Sequence, residues 1–335
     1  MNIQRPYGII AVKPAAKRQV PPEASEESLL LESQNPGMAA LLKMVKRAAA
    51  GDSTILLTGE TGTGKDVLAR QIHRWSPRRH GPFIVINCAT LAERLLENEL
   101  FGHVRGAFSG ASSDKLGRLE LASGGTVLLD EIAELPTSLQ TKFLHFVQDR
   151  SFERIGSNRT VRVDVRVVAA SNRNLEAEVA AGRFRDDLYY RLNEIAFSLP
   201  PLRERAQDIL PFAQSMLKGI LLAAGGPKLS LAPRAAEALV GYRWPGNVRE
   251  LHNALKRAAA FARNETITFD DLPDSIRHPA SGMCVPSVHE TTLKDFEREH
   301  IVRVLAESPT LEDAAARLGI NVSTLWRRRK LYGIG

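Results

Sequence analysis

Between about residues 29 and 200, short apolar, β-branched runs alternate with longer stretches of helical period. The clearest runs are 54–58 (TILLT), 83–87 (FIVIN), 126–130 (TVLLD) and 164–170 (DVRVVAA). They are nearly continuous in apolar residues, as strands buried on both faces are. Stretches between them, such as 66–75 and 139–148, space their apolar residues three and four apart and predict helices. This alternation predicts an α/β fold, a parallel sheet with helices on both faces. Residues 201–277 hold no such runs and predict a small all-α domain. Residues 278–291 carry Pro, Ser and Gly without a period and read as a linker. Residues 292–335 read as helical, with Leu293, Phe296, Ile301, Val304 and Leu305 on the buried side of a first helix over 292–307. Residues 1–28 are aperiodic and mixed in charge, and read as a flexible tail.

Composition narrows the class. The 335 residues are 44% hydrophobic and 25% charged, the balance of a soluble globular protein. No apolar run approaches the ~18–20 residues that span a bilayer, so no membrane partner is expected. The N-terminus lacks the apolar core and small-residue cleavage site of a secretory signal. Cys88 and Cys284 stand far apart without metal-ligand spacing. That excludes a disulfide or zinc framework and fits a reducing cytoplasm. A net charge of +7 permits a nucleic-acid partner and equally suits a mildly basic enzyme.

Two motifs carry chemistry. GETGTGKD runs from Gly59 through Glu60, Thr61, Gly62, Thr63, Gly64 and Lys65 to Asp66, after a predicted strand and before a predicted helix. The glycines let the backbone turn successive N–H groups onto phosphate oxygens, and the helix N-terminus adds partial positive charge. Lys65 supplies the ammonium for the outer phosphates, so ATP is the implied ligand. Asp66 departs from the Ser or Thr that contacts Mg²⁺ in the general motif. The second motif is TVLLDEI, residues 126–132. A buried strand ending in adjacent carboxylates presents both at the C-terminal sheet edge, where ligands bind in α/β folds. Asp130 would hold Mg²⁺, directly or through water, and Glu131 would act as general base on the attacking water.

Between these motifs lies ELFGHVRGAFSGA, residues 99–111. Small residues Gly106, Ala107, Gly110 and Ala111 flank one aromatic, Phe108, and one hydroxyl, Ser109. Composition alone leaves two readings open: a loop that grasps a partner through Phe108, or a surface turn with Phe108 folded back.

With this loop between those motifs, the chain from about 29 to 276 resembles the AAA+ module of bacterial enhancer-binding proteins, the sigma-54-dependent transcription activators of the NtrC type. In that family a GAFTGA loop contacts sigma-54 within the RNA polymerase holoenzyme, and hydrolysis moves it. Here the loop is GAFSGA, which keeps the hydroxyl and loses one methyl. An acidic residue often follows the family's lysine, as Asp66 does. Asn87 resembles the asparagine that restrains the catalytic glutamate. Asn172 resembles the first sensor, reading the γ-phosphate, with Ser171 before it in place of the commoner threonine. FRDDLYYRL, residues 184–192, resembles the arginine-finger segment, with Arg185 and Arg191 in the finger positions. Six residues apart, the two cannot share one face of a helix, and salt bridges to Asp186 and Asp187 are the competing reading. Fingers acting in trans imply a homo-oligomeric ring, a hexamer. WPGNVREL, residues 244–251, resembles the second sensor. Asn247 would cap that helix, and Arg249 in its first turn would face the nucleotide unless Glu250 claimed it.

The C-terminal segment 310–334 places Thr310 three residues before Asp313, a helix-start signature, and Gly319 at a turn before Asn321 as the next cap. It resembles the Fis-type helix-turn-helix that ends many of these activators. Asn321, Ser323, Thr324, Trp326, Arg327, Arg328 and Lys330 are the candidate contacts to upstream activating DNA. Arg329 stands where leucine is commoner. A solvated basic helix end is the alternative.

These readings converge on an ATP-driven activator that remodels the sigma-54 holoenzyme and opens promoters. A nucleotide-switched DNA-binding repressor and an AAA+ remodeller that does not act on sigma-54 are the rivals. The family often carries a sensory domain ahead of the ATPase. Only the short tail stands there in this sequence, which leaves a separate regulatory protein, control by concentration and a truncated chain as explanations.

Overall fold

A computed structural model describes residues 33–224, 229–262, 265–278, 301–302, 304–305, 308 and 310–332. The predicted tail, nearly all of the linker, Cys284, Leu293 and Phe296 lie outside the described residues. The chain divides into two compact units between residues 279 and 280.

In the first unit α1 (Pro36–Ala49) leads into β1 (Ile55–Thr58), and α2 (Lys65–Trp75) follows the glycine-rich loop. Asn35 starts α1 by accepting the Met38 N–H. β2 (Phe83–Asn87) and α3 (Glu93–Phe101) precede a short antiparallel hairpin, β3 (Gly102–His103) with β4 (Lys115–Leu116). After α4 (Arg118–Leu121) come β5 (Thr126–Asp130), α5 (Thr137–Asp149) and a second hairpin, β6 (Ser151–Glu153) with β7 (Thr160–Arg162). β8 (Arg166–Ser171), α6 (Leu175–Ala180), α7 (Asp186–Leu192) and β9 (Ile195–Ser198) complete the α/β part.

Five strands form one parallel sheet in the order β2-β5-β8-β1-β9. Its central strands bury alternate residues in different layers. Leu56, Val127, Leu129, Val167 and Ala169 join the core built with α3 and α5. Ile55, Leu57, Leu128, Val168 and Ala170 join the core built with α1 and α2. Burial on both faces is why these strands read as continuous apolar runs. β9 (IAFS) is too short and too mixed to stand out in the same way.

Arg166 at the start of β8 is fully buried, and its hydrogen-bond partners among the described residues are backbone carbonyls. Its Nη1 and Nη2 donate to Ala49 O and Ala48 O at 2.7 and 3.0 Å, closing the C-terminal end of α1 with a cation where the helix dipole favours one. Arg166→Ala leaves two helix carbonyls and a cavity. It should cost about 2–4 kcal/mol, read as a lower denaturant midpoint.

The segment after the sheet holds α8 (Ile209–Ala224), β10 (Ser230–Leu231), α9 (Pro233–Gly241), α10 (Asn247–Phe261), β11 (Thr266–Ile267) and α11 (Asp274–Arg277). It packs around Trp244, Phe212, Leu239, Leu251 and Leu255. The all-α expectation misses one detail: β10 and β11 form a two-residue parallel pair, too short to carry a period.

In the second unit, α12 (Leu311–Arg317) and α13 (Val322–Tyr332) flank Gly319, whose φ of 66° makes the turn. Thr310 accepts the Asp313 N–H and starts α12. Ala314 and Ala315 let the helices pack closely on Leu325 and Ile301, with Val304 and Leu305 partly buried beside them.

Candidate active site

The sheet register brings the predicted residues to one edge. Asn87 lies opposite Asp130, and Thr58, just before the glycine-rich loop, lies opposite Ser171, just before Asn172. The loop turns through Gly59, Gly62 and Gly64, at φ of 144°, 79° and 96°. Such turns direct successive N–H groups toward one point, as an anion requires. Lys65 is buried, and its Nζ donates to Gly59 O at 2.8 Å and Glu60 O at 3.1 Å. Burial holds its ammonium below the usual lysine range, against the pull of Glu131 and Asp130. Asp66 is exposed at the start of α2.

Asp130 accepts the Glu131 N–H on Oδ1 at 3.1 Å and the Asn87 amide on Oδ2 at 3.2 Å. The expected link from Asn87 to Glu131 is therefore replaced by one to Asp130, the residue that the register sets beside it. Glu131 adopts a left-handed backbone, φ 53°, without being glycine. Its Oε2 is buried and has no hydrogen-bond partner. Burial and the neighbouring Asp130 push its carboxyl above the usual range, while Lys65 and the Asn172 N–H oppose the shift. Asn172 also donates its side-chain amide to Thr61 Oγ1 at 3.1 Å.

The finger candidates stand at opposite ends of α7, as their spacing requires: Arg185 caps its start and Arg191 lies in its last turn. Arg185 forks Asp187 at 3.0 and 2.7 Å, and Arg191 lies 3.7 Å from Glu194. Both pairs are solvent-exposed and screened, so either guanidinium can exchange partners.

Asn247 does not cap α10. Gly246 holds the cap position, and the Asn247 side chain reaches Leu202, Glu60 and Thr61 instead. Arg249 lies in the first turn of α10, its N–H 3.4 Å from Gly62 O. Glu250, the competitor expected for it, accepts from the Gly246 N–H and the Tyr242 hydroxyl. Arg203 and Arg205 approach the loop as well: Arg203 forks Glu60, and Arg205 donates to Thr63 O. Neither was legible in the sequence, since each meets its partner across more than 140 residues and belongs to no motif.

The Gly106–Ala111 loop rises between β3 and β4. Gly106 N–H bonds to Ala111 O and Ala111 N–H to Phe108 O, at 2.9 and 3.0 Å. Phe108 is 46% exposed, its ring in an edge-type contact with His103 at 4.9 Å between centroids. Ser109 is exposed, and Ala107 lies close to Gly156. Cys88 is buried in the core at the end of β2, and burial pushes its thiol up to about 12, which disfavours the reactive thiolate. Asn321, just before α13, and Ser323, Trp326, Arg327 and Lys330 on it are exposed, while Thr324 and Arg328 are half-buried. Lys330 stands over the Trp326 ring at 5.4 Å.

The family described as the sigma-54 interaction domain matches residues 31–198. The AAA+ ATPase lid domain matches 203–284, and the bacterial regulatory protein, Fis family, matches 292–332. The alginate biosynthesis transcriptional regulatory protein AlgB of Pseudomonas aeruginosa is 49% identical over 305 residues, 91% of this chain and 68% of that protein. The Nif-specific regulatory protein of Azotobacter vinelandii is 44% identical over 307 residues, 90% of this chain and 58% of that protein. The crystal structure of NtrX from Brucella abortus in complex with ATP matches with 33% identity and a TM-score of 0.68, over 91% of this chain and 69% of that one. A phosphate loop, a carboxylate pair at the same sheet edge, a lid and a helix-turn-helix, matched in this order at this identity, show that the chain belongs to the AAA+ sigma-54-dependent transcription activators.

Proposed function

We propose that the chain hydrolyses ATP at this edge and uses the cycle to press the Phe108 loop on sigma-54, opening promoters beside its own DNA site. The observation that carries the reading is Glu131, whose buried, unpartnered Oε2 stands at the sheet edge that carries Asp130 and the phosphate loop. A carboxylate oxygen left without a donor is costly and is well suited to accept a proton from water.

The loop N–H groups from Gly59 to Gly64 and the Lys65 ammonium hold the phosphates. Lys65 gives up two backbone carbonyls to do so. Asp130, directly or through water, would hold Mg²⁺ together with the phosphate oxygens, and its Asn87 and Glu131 N–H bonds fix it in place. When bound, the ion neutralises phosphate charge. Glu131 orients the water and takes its proton. Asn172, tied to both Thr61 and Glu131, reports on the outer phosphate, and Arg249 faces it from the lid. Arg185 and Arg191 exchange their exposed partners for the phosphates of nucleotide bound to an adjacent subunit, which requires a ring, a hexamer. Arg327, Arg328 and Lys330 would contact phosphates and base edges of upstream DNA, with Asn321, Ser323, Thr324 and Trp326 at the groove.

The test is open-complex formation by sigma-54 holoenzyme on a template carrying the chain's own binding site. ATP should be required, and turnover per chain should rise with protein concentration. Turnover and DNA binding without open complexes would overturn the proposal and revive the remodeller reading. Negligible turnover in an assembled ring would favour the nucleotide-switched repressor.

A further inference from the structure

Three consecutive carbonyls of the phosphate loop are held by the lid. Thr61 O accepts from Asn247 Nδ2 at 3.0 Å, Gly62 O from the Val248 N–H at 2.9 Å and Thr63 O from Arg205 Nη2 at 2.9 Å. The two carbonyls before them are held from within, both by Lys65 and Glu60 O also by the Thr63 hydroxyl. A loop that turns its N–H groups inward to an anion turns carbonyls outward, and those carbonyls need donors when buried. Gly62 shows how closely the lid fits. A Cβ there would stand 2.3 Å from Gly246 O, so glycine is required by packing as well as by its φ.

Each lid donor is shaped for this role. Asn247 is fully buried and left-handed, φ 52°, a conformation asparagine tolerates better than most residues. Its Oδ1 accepts the Leu202 N–H at 2.7 Å, while Nδ2 bonds Thr61 O and Glu60 Oε2. Arg205 is also fully buried, at a break in the turn-like segment Leu202–Asp208, with its guanidinium 5.6 Å from the Phe212 ring. Among the described residues, its hydrogen-bond acceptor is Thr63 O, and its Nε and Nη1 are buried without partners. If the loop relaxed, this buried cation would lose that acceptor, which costs far more than an ordinary hydrogen bond.

We propose that Asn247 and Arg205 are positioning residues for the nucleotide, holding the carbonyl side of the phosphate loop so that its N–H side stays receptive. The inference rests on the ATP reading of the site and adds a consequence. Lid attachment and nucleotide binding are coupled, and the coupling is reciprocal.

The test uses the full chain with ADP and ATP as probes, followed by titration calorimetry and steady-state turnover. Arg205→Met keeps an apolar stem and removes the buried cation, while the nearby carboxylate of Asp208 keeps its own donors, Ser33 and the Gln34 and Asn35 N–H groups. Asn247→Asp keeps the acceptor for Leu202, loses the donor to Thr61 O and Glu60 Oε2, and sets a second carboxylate against Glu60. Affinity for both nucleotides should fall about tenfold or more in each variant. KM should rise by a larger factor than kcat falls, because ground-state and transition-state binding are lost together. The unfolding midpoint of Arg205→Met without nucleotide should stay within a few degrees of wild type, and Arg205→Lys should recover part of the affinity. Wild-type affinity in both folded variants would overturn the inference alone, as would a loss of affinity that only tracks the fraction unfolded. Absence of any nucleotide binding by the wild type would overturn the functional reading with it.

Discussion

Glu131→Gln should lower ATP turnover by about 10²–10⁴-fold while leaving ADP affinity within a few-fold of wild type. Glutamine matches the carboxylate in size, so the left-handed turn at the end of β5 and the packing around it need not change. What changes is proton affinity: an amide cannot take the proton of an attacking water. The same substitution makes a second, opposite prediction for stability. Burial and Asp130 raise the Glu131 carboxyl above its unfolded value. A raised acid contributes stability below its unfolded pKa, and that contribution is lost as pH rises through the folded pKa. Once ionised, the side chain therefore weighs against the fold, and the neutral glutamine should raise the thermal midpoint or leave it unchanged. Single-turnover kinetics and thermal melts at pH 7 check both halves. Turnover within tenfold of wild type would place the general base elsewhere, and a lowered midpoint would show that the buried carboxylate supports the fold instead of straining it.

The parts of the site legible in the sequence were those whose chemistry is local. The phosphate loop and the carboxylate pair each follow an apolar run that had to be a buried strand, and parallel register then delivers both to one edge. The two finger candidates were separable by spacing, and they stand at opposite ends of α7. Long-range partners were not legible. Nothing near Asn247 says that its amide bonds Thr61, 186 residues away, and its place at the start of a helix made capping the natural expectation. Asn87 was likewise expected on Glu131, but the register places it across from Asp130. The carboxylate that resemblance singles out and the one that geometry supplies differ by one residue, a distinction only the paired strands can make. β9 escaped because four residues with a single large aromatic carry too little pattern, although its neighbour β1 covers it on one side.

Phe108→Ala should abolish open-complex formation and leave basal ATP turnover within about twofold of wild type. The argument begins with the loop's poor contribution to the fold. Phe108 is nearly half exposed, and its ring contact among the described residues is an edge-type one with His103. Removing it should cost the fold about 1 kcal/mol, well below the cost of a buried aromatic. Gly106 and Gly110, at φ of 82° and 104°, have nothing within 4 Å of an added Cβ, so backbone freedom and not crowding explains both glycines. A hairpin tip that exposes an aromatic between two such glycines is organised to present that ring. His103 below it is anchored by Asn98 Oδ1 at 2.7 Å, and Arg105 N–H by Asp114 at 2.7 Å, so the base of the loop is firmer than its tip. An exposed aromatic on a firm base can transmit force to a partner, which a mobile turn cannot do. Measured on the same preparation, retained turnover with no open complexes would assign Phe108 to the contact with sigma-54. Open complexes at the wild-type level would remove the loop from the mechanism, and loss of turnover as well would return Phe108 to the fold of the hairpin.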